Sequence, residues 1–348
     1  MANALPKLQD LETVAGVSVS ELITATETHF GVPVIRASCP GGRDRAIFRV
    51  HLEDRTLIAS RRRNTKGAAR EKRILEYVAP CTDHFPQLIG EQNGFLFQTD
   101  MGSISLASKL SALKPSEALK IFDQAIVSVF NYQLEIGRPL PEAKVPVLFA
   151  KPEKRKYFCD GPIRTAEVFG VPLSGFEPDS VSKEFNPTDA SFLKWDNRVA
   201  NASVATEGTI GWFDFEDSFV GAGFEDLAWI AADEFHAFAF SDIYPLFAKR
   251  IEEFHGLAAS VVLRRFNLMT TLLIALRTRR IGRHLLKRGR WYTRQEIEHS
   301  DRVGAHPTML KALLLRGMHF AELEKETLPL VQMFDRILDQ LSEARLKD

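Results

Sequence analysis

Between Phe192 and Asp217 the chain reads FLKWDNRVANASVATEGTIGWFDFED, and the residues best suited to chemistry lie here. Asp196 and Asp214 follow the short apolar runs Phe192–Leu193 and Ile210–Phe213, and Asn201 stands five residues after Asp196. Phosphoryl transfer needs little covalent help. It needs a carboxylate to orient an acceptor hydroxyl, and hard oxygen ligands to keep Mg²⁺ on the phosphates. Asp196 can supply the first, and Asn201 and Asp214 the second. Arg198 could donate bidentately to a transferred phosphate. The plainer reading is a polar turn capped by Asp and Asn, which any loop can contain. The elements upstream decide between the two.

Ser18 and Glu21 have the spacing of a capping box, which predicts a first helix to about His29. The period then changes. Val34–Ser38, Ala46–Leu52 and Thr56–Ser60 read as short strands, the first two joined by the glycine-bearing turn Cys39–Asp44. A helix over Gly67–Val78, with Ile74, Leu75 and Val78 on one face, precedes a hairpin formed by Phe85–Gly90 and Gly94–Thr99. Residues 1–100 are therefore expected to form a small lobe of antiparallel sheet with one main crossing helix. Residues 101–348 are expected to be mostly helical and to carry the catalytic and metal-binding loops and the acceptor site. Pro115 opens a helix through Glu135, and residues 139–190, richer in proline and glycine, predict a long insertion of short helices over the cleft. Further helices are expected near Glu225–Asp233, Asp242–His255, Ala258–Arg283, Pro307–Arg316 and Glu322–Leu346. The fold class is α+β and bilobal.

Composition sets outer bounds. The 348 residues suffice for two lobes, and 45% apolar with 26% charged residues is ordinary for a globular chain. A formal net charge of zero gives no pointer to nucleic acid or an anionic membrane. Cys39, Cys81 and Cys159 form no CxxC pair, which argues against a zinc knuckle or a disulfide framework. The first residues lack the basic and apolar regions of a signal peptide, and the apolar stretch Leu272–Leu276 is too short to span a bilayer. The expected location is cytoplasmic. There is no Walker A sequence, GxSxG or HExxH, and Gly221-Ala222-Gly223 lacks the third glycine of a dinucleotide fingerprint.

Taken together, the parts resemble the aminoglycoside phosphotransferase family, a branch of the protein-kinase-like fold, over most of the chain. Asp196-x-x-x-x-Asn201 is similar to that family's catalytic loop, Asp214-Phe215-Glu216 to its metal-binding motif, and Asp226-Leu227-Ala228 to the segment whose Asp braces the catalytic loop. The resemblance implies that Gly41 and Gly42 form the turn covering the phosphates. It implies that Arg61 ends the strand that normally bears the ATP-binding lysine, that Glu71 is its helical partner, and that Gln98–Met101, with Asp100, form the adenine hinge. The cofactors implied are ATP, or another nucleoside triphosphate, and Mg²⁺. The implied partner is a small molecule with a hydroxyl group.

The departures are specific. Lys194 stands where the family has histidine, Trp195 where it usually has glycine, and Arg61 where lysine is expected. The base and both metal ligands are kept, so the expectation is an active but divergent kinase, with a pseudokinase or non-catalytic scaffold as the rival. Residues 264–290 carry nine Lys or Arg and no acid, which either marks an anionic acceptor or is a solvated helix face paired with acids elsewhere. Neither reading supports a polycationic antibiotic.

Overall fold

The computed structural model describes residues 13–40, 42–62, 64–188, 190–205, 207–300 and 303–344. A minimal hairpin of β1 (Thr13–Val14) and β2 (Val17–Ser18) leads into α1 (Val19–Phe30). This helix ends at Gly31, whose φ of 70° is the left-handed conformation that glycine adopts without strain. There follow β3 (Arg36–Ser38), β4 (Ile47–His51), β5 (Thr56–Ser60), α2 (Thr65–Tyr77), β6 (Leu88–Gln92) and β7 (Phe95–Thr99). The five strands from β3 to β7 form one antiparallel sheet in the order β3-β4-β5-β7-β6.

Alternation in these strands sets which face is apolar. Phe48 and Val50 of β4, Leu57 and Ala59 of β5, and Phe95 and Phe97 of β7 pack with Leu22 and Ala25 of α1 in a first core. The other face of β5 and β7 carries Ile58, Ser60 and Gln98, with Ile58 opposite Gln98 in the register. The crossing helix α2 belongs elsewhere. Its Ile74 and Leu75, with Val78 and Phe85, are buried in a second, larger core shared with the helices that follow.

That larger part runs through β8 (Ile104–Ser105), α3 (Leu106–Ala112), α4 (Pro115–Ile136), and the short helices α5 (Pro152–Cys159), α6 (Gly161–Phe169) and α7 (Pro178–Ser182). Then come β9 (Ser191–Leu193), β10 (Ala202–Val204), β11 (Ile210–Trp212), β12 (Phe219–Gly221) and α8 (Phe224–Ala231). The chain closes with α9 (Phe240–His255), α10 (Ala259–Arg288), α11 (Arg294–Ser300), α12 (Pro307–Glu322) and α13 (Pro329–Ala344). The fold is thus α+β, with a small antiparallel sheet first and a mostly helical remainder. The expected final helix over Glu322–Leu346 is placed differently: α12 runs through Glu322 and α13 starts at Pro329, a residue suited to a first turn because it lacks an amide hydrogen. Helices α3 and α11 go beyond the sequence expectation, because seven residues are too few for a helical period to stand out.

The expectation about bilayer length needs correction. By length and composition the helical run Phe240–Arg288 is apolar enough to cross a membrane, and half of its most apolar window is buried inside the protein. Fifteen residues of α10 between Phe266 and Gly282 are buried, so the apolar content of this helix is used as core.

Candidate active site

Two β pairs convert the sequence spacing into adjacency. In the β9–β12 pair, Leu193 lies opposite Phe219, so Lys194–Arg198 leaves one strand beside the point where Glu216–Ser218 enters the other. In the β10–β11 hairpin, Ala202 lies opposite Trp212, and the Phe213 amide donates to the Asn201 carbonyl at 3.1 Å. Asn201 is thereby held one residue from the level of Asp214.

Asp226, at the start of α8, fixes the loop. Its carboxylate accepts the Lys194 and Trp195 amides, each at 2.8 Å, and the Tyr132 hydroxyl at 2.6 Å. Burial raises the Asp226 pKa, while Tyr132 and the two amides act to lower it. This is the bracing that the resemblance implies. The braced backbone is strained: Trp195, Asp196 and Asp214 have φ of 57°, 45° and 73°, a left-handed region that costs a side-chain-bearing residue on the order of 1 kcal/mol or more. Trp195 is held there by ring contacts with Trp229, Phe219 and Phe158. The glycine usual in the family at this position would adopt that φ freely. Lys194 is fully buried, and its Nζ donates to the Asp196 carbonyl at 3.3 Å. Burial lowers its pKa, against the pull of Asp214, Asp196 and Asp226.

Asp196 itself is engaged. Arg198 donates to both carboxylate oxygens, at 2.9 and 3.1 Å, and Asn201 Nδ2 donates to Asp196 Oδ2 at 3.1 Å and to its carbonyl at 2.9 Å. Burial works to raise the Asp196 pKa, but Arg198, Arg277 and Lys194 hold the carboxyl well below the usual range. Arg198 therefore closes on Asp196 and does not point freely at a phosphate. With its amide nitrogen given to Asp196, Asn201 keeps Oδ1 without a donor among the described residues. That oxygen and the Asp214 carboxylate are hard oxygen donors of the kind that could hold Mg²⁺. Among the described residues no group of three His, Cys, Asp or Glu makes a metal cage on its own.

The basic residue opposite Asp214 is Arg62, which the sequence reading passed over. Its Nε donates to Glu71 at 2.5 Å, one Nη to Asp214 at 2.6 Å, and the other Nη contacts Glu216 at 3.0 Å. Burial opposes the charge on Arg62, but the three carboxylates more than offset this and raise its pKa. Arg61 is not in this position. It pairs with Glu21 at 2.7 Å and lies over the Phe95 ring at 5.4 Å. The reason is strand phase: Arg61 continues the Leu57 and Ala59 face toward the first core, whereas Arg62 continues the Ile58 and Ser60 face. The apolar residues of β5 were the available signal. Glu71, expected to partner Arg61, is buried and holds Arg62 instead. Arg70 adds a second tie from α2, donating to the Glu216 carbonyl at 3.0 Å.

The remaining expected nucleotide residues lie on different strands of the sheet, Gly42 beyond one end of β3 and Asp100 and Met101 beyond the other end of the sheet at β7. Gly42 sits in a turn after β3, with φ of 81° and its amide bonded to the Cys39 carbonyl, while Gly41 lies outside the described residues. Gln98 is buried in β7 and donates to Ser60 at 3.4 Å. Asp100 is clamped by Arg49 at 2.7 and 3.0 Å, and the Met101 carbonyl accepts the Ser203 hydroxyl at 2.8 Å. The segment joining the sheet to the helical part is thus pinned from both sides.

Comparison with known structures gives the same architecture. The GDP complex of aminoglycoside 2'-phosphotransferase-IIIa superposes with a TM-score of 0.55 at 11% identity, covering 86% of this chain and 98% of that one. ADP-bound aminoglycoside phosphotransferase APH(2'')-Ib gives 0.50 at 12% identity, covering 84% and 99%. No family model and no curated protein sequence matches the chain. The shared feature is the fold, that of the aminoglycoside phosphotransferase branch of the kinase-like proteins.

Proposed function

We propose that this chain is a phosphotransferase that uses ATP and Mg²⁺ to phosphorylate a hydroxyl group of a small molecule. The observation that carries the reading is the convergence of Asp196, Asn201 and Asp214 on one loop pair, braced by Asp226 and faced by the Arg62–Glu71 pair. The similar structures bound to GDP and ADP support a nucleotide in this cleft.

In this reading the acceptor oxygen attacks the γ-phosphorus. The bond from that phosphorus to the β–γ bridging oxygen breaks, and the nucleoside diphosphate leaves with the electron pair. The hydroxyl proton passes to Asp196 and then to water. A carboxylate as weakly basic as Asp196 mainly orients the hydroxyl and takes the proton late, once bonding to phosphorus has made it acidic. Asn201 and Asp214 would hold Mg²⁺, whose contribution is to neutralise charge on the phosphates. Arg62 would contact phosphate oxygens as its pairing with Asp214 relaxes, and the backbone of 98–101 would meet the base.

One observation favours a rival reading, nucleotide binding without turnover: Arg198 occupies both oxygens of Asp196. Thermal shift with ATP, with and without Mg²⁺, followed by phosphate release on a panel of hydroxyl compounds, separates the two. A Mg²⁺-dependent shift with turnover supports the kinase, a shift without turnover supports the rival, and no shift defeats both. Asp214→Ala should abolish the Mg²⁺-dependent shift in a protein that remains folded.

A further inference from the structure

The cations of residues 264–290 sort by partner. Arg264 meets Glu184, Glu324 and Glu326, Arg277 is buried against Glu234, and Arg288 and Arg290 share Glu296. For these the plainer expectation, pairing with acids elsewhere in the chain, is what the structure shows. Arg265, Arg279, Arg280, Arg283 and Lys287 have no carboxylate partner among the described residues, and of these Arg279, Arg280 and Arg283 lie within one turn of one another on α10.

Arg279 is only 6% exposed, and its surroundings are cationic. Arg164 of α6 and Arg283, one turn further along α10, both lie in its field, as does Tyr157 of α5. Arg164 stacks on the Tyr157 ring at 3.7 Å. This group borders the catalytic loop, since Phe158, next to Tyr157, packs on Trp195 with ring centres 6.4 Å apart. Arg280 is in electrostatic range of Asp196 and Asp217. From the sheet side, Arg70 lies over Phe219 at 5.9 Å and also reaches the field of Asp217. Gathering like charges with one of them buried is costly unless an anion offsets it.

We propose that Arg279, Arg280 and Arg283, with Arg164, bind the phosphate acceptor, and that the acceptor carries an anionic group, carboxylate or phosphate, besides its hydroxyl. The inference rests on the phosphotransferase reading for the word acceptor, while the anion site rests on the spacing of the three arginines along α10 and the stacking of Arg164 on Tyr157. The arginine fork matches both anions bidentately, and a polycation would meet a wall of its own sign. Tyr157, 58% exposed, adds an aromatic surface at the rim.

The test is calorimetric titration with inorganic phosphate, malonate and spermidine as probes. The proteins are the wild type, Arg280→Gln/Arg283→Gln, Arg280→Lys/Arg283→Lys, and Arg62→Gln as a control for anions entering the nucleotide half. Because Arg280 and Arg283 are exposed, melting temperature should be unchanged in their variants. The expected result is phosphate or malonate binding that weakens roughly tenfold or more in the glutamine variant, as loss of a charge-assisted bond predicts, and recovers in part with lysine. Preference for phosphate assigns a phosphorylated acceptor, and preference for malonate a carboxylated one. Equal anion affinity in wild type and glutamine variant, absence of anion binding, loss only in Arg62→Gln, or preferential spermidine binding would each overturn the proposal. Failure of the Mg-ATP shift in wild type, with anion binding intact, would instead remove the phosphotransferase reading alone.

Discussion

Arg62 donates to Asp214 at 2.6 Å while its other nitrogens hold Glu71 and Glu216, so one guanidinium stands among three carboxylates. A nucleotide with its metal must exchange part of this arrangement. Arg62→Gln should weaken Mg-ATP roughly tenfold to a hundredfold, since it removes a charge-assisted contact. Mg²⁺ alone should bind more tightly to the same variant, because Asp214 and Glu216 lose their counter-charge. Arg61→Gln should alter neither. Calorimetry on the two variants checks this, and equal effects would return the role to Arg61.

Asp226 leaves three donors behind when it is removed: the Lys194 and Trp195 amides and the Tyr132 hydroxyl. Asp226→Ala should cost about 3–5 kcal/mol in urea unfolding, the range for breaking a buried charged network. Asp226→Asn should cost less, and both should lower kcat more than they raise KM. A loss under about 1 kcal/mol for the alanine variant would mean that the brace is not needed.

Trp195 combines a left-handed φ with aromatic packing, and the two make opposite demands on a substitution. Trp195 is half-buried, so removing the ring should cost less than the roughly 3–5 kcal/mol of a fully buried aromatic. Glycine should then be the better replacement by about 1 kcal/mol, because alanine keeps the strain that glycine does not feel. Thermal unfolding of Trp195→Ala and Trp195→Gly gives the order directly. Alanine above glycine would rule out strain at this position.

Glu225 is buried beside Ala222 and Gly223, whose amides it accepts, and burial pushes its pKa up to about 7 from an ordinary 4.5. The folded state therefore binds more protons than the unfolded chain between these values. Its stabilising contribution is fully present below pH 4.5 and is lost as pH rises through about 7. The loss is on the order of 3 kcal/mol by the pKa difference. Glu225→Gln should flatten the melting temperature of the protein across this window relative to wild type. An unchanged pH profile in the variant would place the titration elsewhere, with Asp233, also raised to about 7 by burial and Glu234, as the next group to examine.

The candidate loop was legible because its signal is local: Asp196, Asn201, Asp214 and Asp226 are fixed by short spacings that the two β pairs preserve. Arg62 was missed because its role depends on strand phase, where one residue decides the face. The closure of Arg198 on Asp196 was not legible either, since a spacing of two residues in a loop says nothing about which way a side chain folds. Nor does a tryptophan announce a left-handed φ as glycine does. For the basic segment, most of the pairing acids come from distant positions such as Glu184, Glu234 and Glu324, so the sequence left it undivided.

The Arg62–Asp214 pair joins positions 152 residues apart. Closing so long a loop is a modest cost, since each doubling of length adds only about 0.6 kcal/mol, but it fixes an order of events. The sheet strands and α2 leave the ribosome first, with Ile74, Leu75 and Val78 exposed until the later helices arrive to cover them. The amino-terminal lobe has its own first core, but the apolar face of its α2 is covered only by the later helices. Its charge cluster becomes complete only in the final docking step, so recovery of nucleotide binding during refolding should lag behind the return of helical signal.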